Sequence, residues 1–192
     1  MDVLLGIFSA FGLSASAGLN AYIPLLVVGV LAHYTDLIQL SRPWDLLANP
    51  WILILIGLLL IIEMLADKVP VVNHVNDAIQ TFVRPAAGAI AFAASTDVIH
   101  GIHPVLAMAC GLLVAGGVHV VKSAAVRPVV TATTAGAGNV PVSIAEDLAS
   151  TAVSFLSVLL PALIAILVGI AVILLLWWWA RRRATARPED AG

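Results

Sequence analysis

Five acidic or strongly basic residues lie between positions 61 and 90 of a chain that elsewhere contains little charge. They are Glu63, Asp67, Lys68, Asp77 and Arg84. Glu63 and Asp67 are four residues apart, so on a helix their carboxylates share a face and repel each other. Such a pair needs a proton, a cation or a basic partner. The basic residues available are Lys68, Arg84, Lys122 and Arg127.

The amino-acid composition indicates whether water or lipid surrounds these residues. Of the 192 residues, 61% are apolar and 10% are charged. The mean hydropathy is +1.08, a value typical of an integral membrane protein. The length suffices for five or six spanning helices of about 20 residues each. We predict an all-α, polytopic membrane protein, with residues 1–180 in one helical bundle and residues 181–192 in a cytoplasmic, Arg-rich tail.

Charge and cysteine content narrow the range of partners. The net charge is −2, and no basic stripe alternates with aromatic residues, so nothing indicates nucleic acid. Cys110 is the only cysteine, which excludes an internal disulfide and weakens a thiolate metal site. We expect the lipid bilayer as the main partner and no cofactor.

Apolar runs predict the spanning segments. The first, Val3–Ala32, is over-long, and we interpret it as retained rather than as a signal peptide because Asp2 precedes it without Lys or Arg. Four further runs follow: Trp51–Ala66, Pro85–Ile99, Pro104–Val121 and Ser150–Trp179.

Two of the connectors carry structural signals. Before Pro85, one face is apolar, whereas Asn73, Asp77, Gln80 and Arg84 form the opposite face, which predicts an interfacial amphipathic helix. Residues Pro128–Ala145 are uncharged and rich in Gly, Thr and Pro, which indicates a re-entrant or broken crossing.

The basic residues predict the orientation of the chain. The sequence WWWARRR ends an apolar run with aromatic rings and three arginines, which places the C-terminus in the cytoplasm. If Pro128–Ala145 crosses the bilayer, there are six crossings, and the four basic residues named above face the cytoplasm. With five crossings they face outward. We predict six crossings with both termini inside, and a last helix that starts near Ser143 with a Ser143–Glu146 capping box.

Two asparagines accompany prolines inside apolar sequence. Asn20 precedes Pro24, which removes a backbone donor, and Asn139 precedes Pro141. A break at either place would expose helix-terminal amides and carbonyls, as in transporters with discontinuous helices. We expect the Asn20 amide to bind backbone groups freed near Pro24, or to contact a ligand.

Small residues recur at four-residue spacing on two segments. Gly6, Ala10, Ser14 and Gly18 form one such face, and Ala107, Gly111 and Ala115 form another, which His119 continues. Such faces allow close helix packing. We favour packing within the chain, while a homo-oligomer or partner helices remain an alternative.

Three motifs, SASAGLNAYIPLL, EMLADKVP and VRPAAGA, resemble a family of small bacterial integral membrane proteins known as domain of unknown function 4126. The resemblance spans about Leu5 to Asp147. It implies a Gly- and Ala-rich helical membrane fold in a bacterial inner membrane. It also implies an asparagine in the first helix, here Asn20, and an acidic–basic run, here Glu63, Asp67 and Lys68. The resemblance implies no activity.

Catalytic and metal signals are weak in this sequence. TAGAGN lacks the strand–helix context of a dinucleotide loop, and no nucleophile elbow or zincin motif occurs. Glu63, Asp67, His74 and Asp77 have metal-ligand chemistry but match no recognised spacing. We therefore predict no catalytic residue and no metal ligand.

Three hypotheses remain. The first is a small transporter or channel-like protein for an ion or a small anionic or lipid-like substrate. The second is a structural or assembly subunit, and the third, ranked last, is a membrane-embedded lipid enzyme. The residues proposed for the pathway of the first are Asn20, Glu63, Asp67, Lys68, Asp77, Arg84, His119, Lys122, Arg127 and Asn139. In the structural hypothesis, the same charges form an ion-pair network that ties helix ends together.

The predicted orientation can be tested with a cysteine introduced beside Lys68 in a Cys110→Ala background. Because Lys and Arg concentrate on the cytoplasmic side, an impermeant thiol reagent added outside intact cells should leave this cysteine unlabelled. Permeabilised cells provide the positive control. Ready labelling in intact cells would contradict the six-crossing topology.

Overall fold

The structure is a computed structural model, and it describes residues 2–67, 70–96 and 102–185. All regular secondary structure in these ranges is helical. The helices are α1 (Asp2–Leu19), α2 (Tyr22–Tyr34), α3 (Pro50–Ala66), α4 (Pro70–Thr96), α5 (Pro104–Val121), α6 (Arg127–Thr134), α7 (Asn139–Leu159) and α8 (Pro161–Thr185). A 3-10 turn, Trp44–Ala48, precedes α3, and a π turn, Lys122–Val126, joins α5 to α6.

Helix α1 lies at the centre and packs against α4, α5, α7 and α8. Small residues make these approaches close. A Cβ on Gly18 would lie 2.6 Å from the Ala115 carbonyl oxygen, and a Cβ on Gly88 would collide with the Ala115 side chain. The small-residue faces of α1 and α5 therefore pack closely inside this chain. A homo-oligomer or partner helices through such faces stays a prediction.

The helices bury polar side chains and expose apolar ones. In α7, Ile144 and Leu148 are exposed. The same helix buries Ser143, Asp147, Ser150, Ser154 and Ser157. Helix α3 buries Glu63 and exposes Leu58, Ile61 and Ile62. Since exposed apolar stripes of this extent are unfavourable in water, the arrangement fits an apolar surrounding.

Three helical stretches are long and apolar enough to cross a membrane by length and composition: Pro104–Thr134, Asn139–Leu159 and Pro161–Arg182. Shorter apolar helices cover Leu4–Leu19, Tyr22–Tyr34 and Pro50–Ala66. The predicted helical, membrane-like class is thus supported, whereas the number of crossings stays a prediction.

The predicted helix boundary at Pro85 is wrong. The amphipathic stretch and the apolar run after it form one helix, α4, with Pro85 inside it. A single proline removes only one backbone donor, and neighbouring helices can compensate for it at membrane depth. The polar face of α4 turns inward, since Gln80 and Arg84 are buried while Ile79 and Phe82 are exposed.

The predicted break within Pro128–Ala145 is confirmed, while its crossing of the membrane stays a prediction. These residues include the end of α6, a turn over 135–138 and the start of α7. The chain reverses at Ala135 and Gly136, whose φ angles are 50° and 88°, a backbone region that glycine adopts without strain. Because α7 already begins at Asn139, Ser143 lies inside the helix, and the predicted Ser143–Glu146 capping box is wrong.

Two long apolar runs are each divided in the structure. Val3–Ala32 is interrupted at Asn20 and Ala21, and the last run is interrupted at Leu160, after which Pro161 begins α8. Proline is favourable at the first position of a helix, where its missing N–H has no partner in any case. Helix α8 continues to Thr185, so Arg181 and Arg182 are helical and stack over Trp177 and Trp178, each 3.9 Å from a ring centroid.

The close packing of α5 against α4 predicts that Gly111→Ala destabilises the protein. The added Cβ would overlap the Gly88 carbonyl oxygen and lie 2.6 Å from Phe92 Cβ, and overpacking of this kind costs about 1–3 kcal/mol. Gly117→Ala on the same helix is the matched control, because its Cβ would meet nothing within 4 Å. Thermal unfolding in detergent should show a lower Tm for Gly111→Ala only. Equal melting of both variants would contradict the packing described.

Candidate functional site

Most of the predicted site residues meet in one buried group of charges, which we call the ionic cluster. It contains Glu63, Asp67, Arg84, His119, Lys122, Arg127 and Glu146. The end of α3, the middle of α4, the end of α5, the π turn, α6 and α7 position these side chains. Glu146 was not among the predicted pathway residues.

Arg84 lies at the centre of the ionic cluster, and its side chain is fully buried. Its Nη2 is 2.9 Å from Glu63 Oε1 and 3.7 Å from Asp67 Oδ2. Its Nε also donates to Glu63 Oε1 at 3.3 Å, and its Nη1 lies 3.4 Å from His119 Nδ1. The repulsion expected between Glu63 and Asp67 is therefore relieved by a guanidinium that contacts both carboxylates.

Asp67, in the turn after α3, collects donors from three other elements. Arg127 Nη2 lies 3.0 Å from its Oδ2, Asn76 Nδ2 donates to Oδ1 at 2.7 Å, and Ser143 Oγ donates to Oδ2 at 3.3 Å. Burial opposes the ionised form, but the charges of Arg127, Lys122 and Arg84 outweigh it. They hold the pKa of the Asp67 carboxyl below its usual range.

Glu146 on α7 is the second acidic centre. Its Oε2 lies 2.6 Å from Lys122 Nζ and 3.5 Å from Arg127 Nη2. Lys122 Nζ also donates to the Leu19 carbonyl oxygen at 3.0 Å, at the C-terminal end of α1. Glu146 and Lys122 therefore connect the ionic cluster to the end of α1.

The π turn explains how Lys122 and Arg127 reach the same acceptor. Residues five apart on a regular α-helix point about 140° away from each other. Here the Arg127 backbone N–H donates to the Lys122 carbonyl, five residues earlier, so the helix is widened by one residue. This brings both side chains to Glu146 Oε2. Such π turns are frequent at functional sites.

Asn20 forms the break between α1 and α2. Its Oδ1 accepts from the backbone N–H groups of Tyr22 and Ile23, at 3.1 and 3.2 Å. Its Nδ2 donates to Asp147 Oδ1 at 2.9 Å, one residue after Glu146 in α7. The expectation that its amide binds freed backbone groups is confirmed. Asn20 lies next to Leu19, whose carbonyl oxygen binds Lys122.

One predicted residue stands apart from the ionic cluster, and two others lie outside what the structure describes. Asn139 begins α7 and accepts from Thr131 Oγ1 at 3.1 Å in an exposed position. Lys68 lies outside the described residues, and the side chain of Asp77 is outside the described set as well. Among the described residues, no group of three His, Cys, Asp or Glu side chains is placed to hold a metal ion.

A serine ladder between α1 and α7 was missed by the sequence analysis. Ser16 Oγ donates to the Ser150 carbonyl oxygen at 2.8 Å and lies 2.6 Å from Ser154 Oγ. Ser150 Oγ donates back to the Ser16 carbonyl oxygen at 3.1 Å. The signal was the alternation of four- and three-residue steps along α7, a heptad pattern made of polar residues, at Ser143, Asp147, Ser150, Ser154 and Ser157.

An apolar groove reaches the ionic cluster between α5 and α7. Its volume is about 700 Å³. Val114, Val118, Val142 and other small or aliphatic residues line it. The charged residues of its lining are Lys122 and Glu146. The groove thus combines an apolar wall with one buried ion pair.

Comparison with known proteins identifies one family. A family model described as "Domain of unknown function (DUF4126)" matches residues 7–181. The match extends beyond the predicted resemblance, which ended near Asp147, and covers most of α8. The comparisons with curated proteins and with solved structures found no match.

The two roles of Asn20 predict a clear effect of Asn20→Leu. The change leaves the Tyr22 and Ile23 N–H groups without their acceptor and Asp147 without its amide donor. The Tm in detergent should fall by an amount equivalent to about 1–3 kcal/mol. Gln39→Leu is the control, because Gln39 is also an amide but lies exposed in the segment between α2 and α3. An Asn20→Leu variant as stable as wild type would remove Asn20 from the site.

Proposed function

The chain belongs to the DUF4126 family. Because that description assigns no activity, we propose a function from the geometry. We propose a small transporter in a bacterial inner membrane, whose substrate has an anionic head and an apolar body, as a lipid-like molecule does. The observation that carries the proposal is the groove of about 700 Å³ that ends at the Lys122–Glu146 ion pair.

The lining of the groove supports an amphiphilic substrate rather than a bare ion. Aliphatic walls favour an acyl chain, because burial of apolar surface is worth about 25 cal/mol per Å². At the polar end, an anionic head would compete with Glu146 for Lys122 and Arg127, which already share one carboxylate oxygen. Arginine and lysine both bind phosphate groups well.

The break between α1 and α2 supports a binding site at this depth. Lys122 Nζ contacts the carbonyl oxygen of Leu19, the last residue of α1, and Asn20 holds the following helix start. Transporters commonly place substrate sites at such helix interruptions. A head group that draws Lys122 away from Glu146 would also release the end of α1, and this couples binding to movement of a helix.

The orientation follows from the same cluster. We propose that the side of the bundle at which α3 and α5 end is cytoplasmic. Helix α1 runs parallel to α5, because Ser14 donates to the Gly111 carbonyl oxygen and Gly18 approaches Ala115. Helix α1 therefore ends on that side, whereas the predicted six crossings with both termini inside would require the opposite direction. This assignment keeps Lys122, Arg127 and the Arg-rich end of α8 on the cytoplasmic side, as the positive-inside rule requires. The C-terminus is then cytoplasmic.

A structural subunit is the alternative function. The density of the ionic cluster favours it, since Arg84 and Asp67 each contact several partners without any ligand. Such a network can serve only to hold α3, α4 and α7 together. Long apolar outer faces, such as that of α8, would then dock partner helices.

Transbilayer movement of a fluorescent anionic lipid tests the proposal. Vesicles are prepared with the protein and with a phosphatidylglycerol that carries a fluorophore quenched by dithionite. Dithionite added outside reaches only lipid in the outer leaflet. In vesicles that contain the protein, the fluorescence of inner-leaflet lipid should be lost several-fold faster than in empty vesicles. Lys122→Met should slow this movement because the head group loses its cation. Arg42→Met is the matched control, since the Arg42 side chain is 95% exposed and its acidic neighbour Asp45 lies in the same loop.

A second variant separates transport from folding. Gly117→Leu fills the groove without touching the ionic cluster, because a Cβ at Gly117 meets nothing within 4 Å. It should keep the wild-type Tm and slow lipid movement. A folded wild-type protein that moves neither anionic nor zwitterionic lipid faster than empty vesicles would contradict the transport proposal and favour the structural subunit.

A further inference from the structure

Two buried oxygen atoms in and beside the ionic cluster have no hydrogen-bond partner among the described residues. They are Glu63 Oε2 and Gln80 Oε1. The Glu63 side chain is 1% exposed, and Gln80 as a residue is 2% exposed. Tyr22 on α2 bonds to the Gln80 side chain and feels the charge of Glu63. Buried acceptors without a donor are rare in protein interiors, so these two oxygens call for an explanation.

Charged and titratable groups surround Glu63 from several elements. Arg84 on α4 binds only its Oε1, Asp67 follows it on α3, and Lys122 reaches it from the π turn. His119 on α5 lies on the other side of Arg84. Glu63 therefore has one guanidinium, whereas Asp67 has two guanidiniums within 3.7 Å and two neutral donors as well.

The other acids of the ionic cluster are already bound in their charged form. Four donors approach Asp67, and an added proton would displace one of them. Glu146 faces both Lys122 and Arg127. Asp67 would lose a charged contact on protonation. Glu146 faces these two cations and keeps 11% exposure of its side chain, whereas Glu63 is buried and shares its one guanidinium with Asp67.

His119 has no room for a second proton either. Arg84 Nη1 can only donate, so His119 Nδ1 must accept from it. The ring proton then lies on Nε2, which is 3.3 Å from Thr81 Oγ1. Protonation of Nδ1 would place two donors against each other 3.4 Å apart.

From the unpartnered oxygen of Glu63 and the occupied surroundings of the other acids, we infer that Glu63 is a proton-binding site and carries its proton on Oε2. When Glu63 loses this proton, its carboxylate becomes negatively charged beside the carboxylate of Asp67. The two charges repel each other, which weakens the contacts of α3 with α4. This site does not depend on lipid transport, because it follows from the ionic cluster alone.

Infrared spectroscopy of the wild-type protein tests the site directly. At neutral pH, the folded protein should show the carbonyl stretch of a protonated, buried carboxylic acid, with a small shift in deuterium oxide. Labelling glutamate with ¹³C should move this band, and labelling aspartate should not. These measurements use no variant and so do not depend on whether a mutant folds.

Two variants assign the band to its residue. Glu63→Gln keeps an acceptor for Arg84 and places an N–H donor where the proton was, so it should fold and lose the band. Asp45→Asn, at a half-exposed loop acid, should keep it. Absence of the band at neutral pH in folded wild type, or its persistence in Glu63→Gln, would overturn the assignment. A sodium-specific rise in Tm with an ionised Glu63 would assign the oxygens to a cation and overturn it too.

The dependence of stability on pH provides a second readout. An unfolded glutamate releases its proton at about pH 4.3. A native state that keeps the proton above this pH loses stability as the pH rises through the native titration. Wild-type Tm should fall over that range, and Glu63→Gln should show a flatter profile. An equally steep fall in Glu63→Gln would contradict the role of Glu63.

Discussion

A guanidinium with no access to solvent is the constraint on which the remainder of the structure depends. Arg84 stays charged under all conditions, and an uncompensated buried charge costs several kcal/mol. Its position in the middle of α4 therefore requires the end of α3 to supply carboxylates and α5 to supply His119. Asp67 in turn requires Arg127 and Ser143, which fix α6 and α7. Removal of Asp67 would leave the guanidinium without its charged partner, whereas a paired replacement of acid and base by apolar residues would be much milder.

Away from the ionic cluster, the helices are held by contacts that do not depend on the exclusion of water. Between lipid-facing helices there is little hydrophobic driving force, so close van der Waals packing and hydrogen bonds must do this work. Glycines bring α1, α4 and α5 together, as at Gly88 and Gly111, and the serine ladder joins α1 to α7. Three kinds of contact thus hold the bundle: close packing at glycines among α1, α4 and α5, serine hydrogen bonds between α1 and α7, and the ionic cluster at one end.

The residues of the ionic cluster were predictable, but the ends of its helices were not. In a chain with 10% charged residues, buried ions must find each other, so Glu63, Asp67, Arg84, Lys122 and Arg127 could be named from charge alone. Pro104–Val121 was found with both ends correct because Pro104 starts it after a polar loop. Elsewhere an apolar run did not show where a helix ends. A helix can break within the membrane if the backbone polar groups that the break frees are hydrogen-bonded inside the protein, and such a break leaves the run apolar. The division at Leu160 and the start of α7 at Asn139 were missed for this reason. The serine ladder was missed for another reason: hydroxyl groups contribute little to a hydropathy average.

The π turn has a consequence for how such a site can arise and be lost. Lys122 and Arg127 converge on Glu146 because one extra residue is accommodated between them, not because of any special residue among Ser123, Ala124, Ala125 and Val126. A π turn is in effect a single-codon insertion into an α-helix. A related chain one residue shorter here would retain every charged residue and lose their convergence. In an alignment, the origin of the site would be visible as a gap, and a count of identical residues would overlook it.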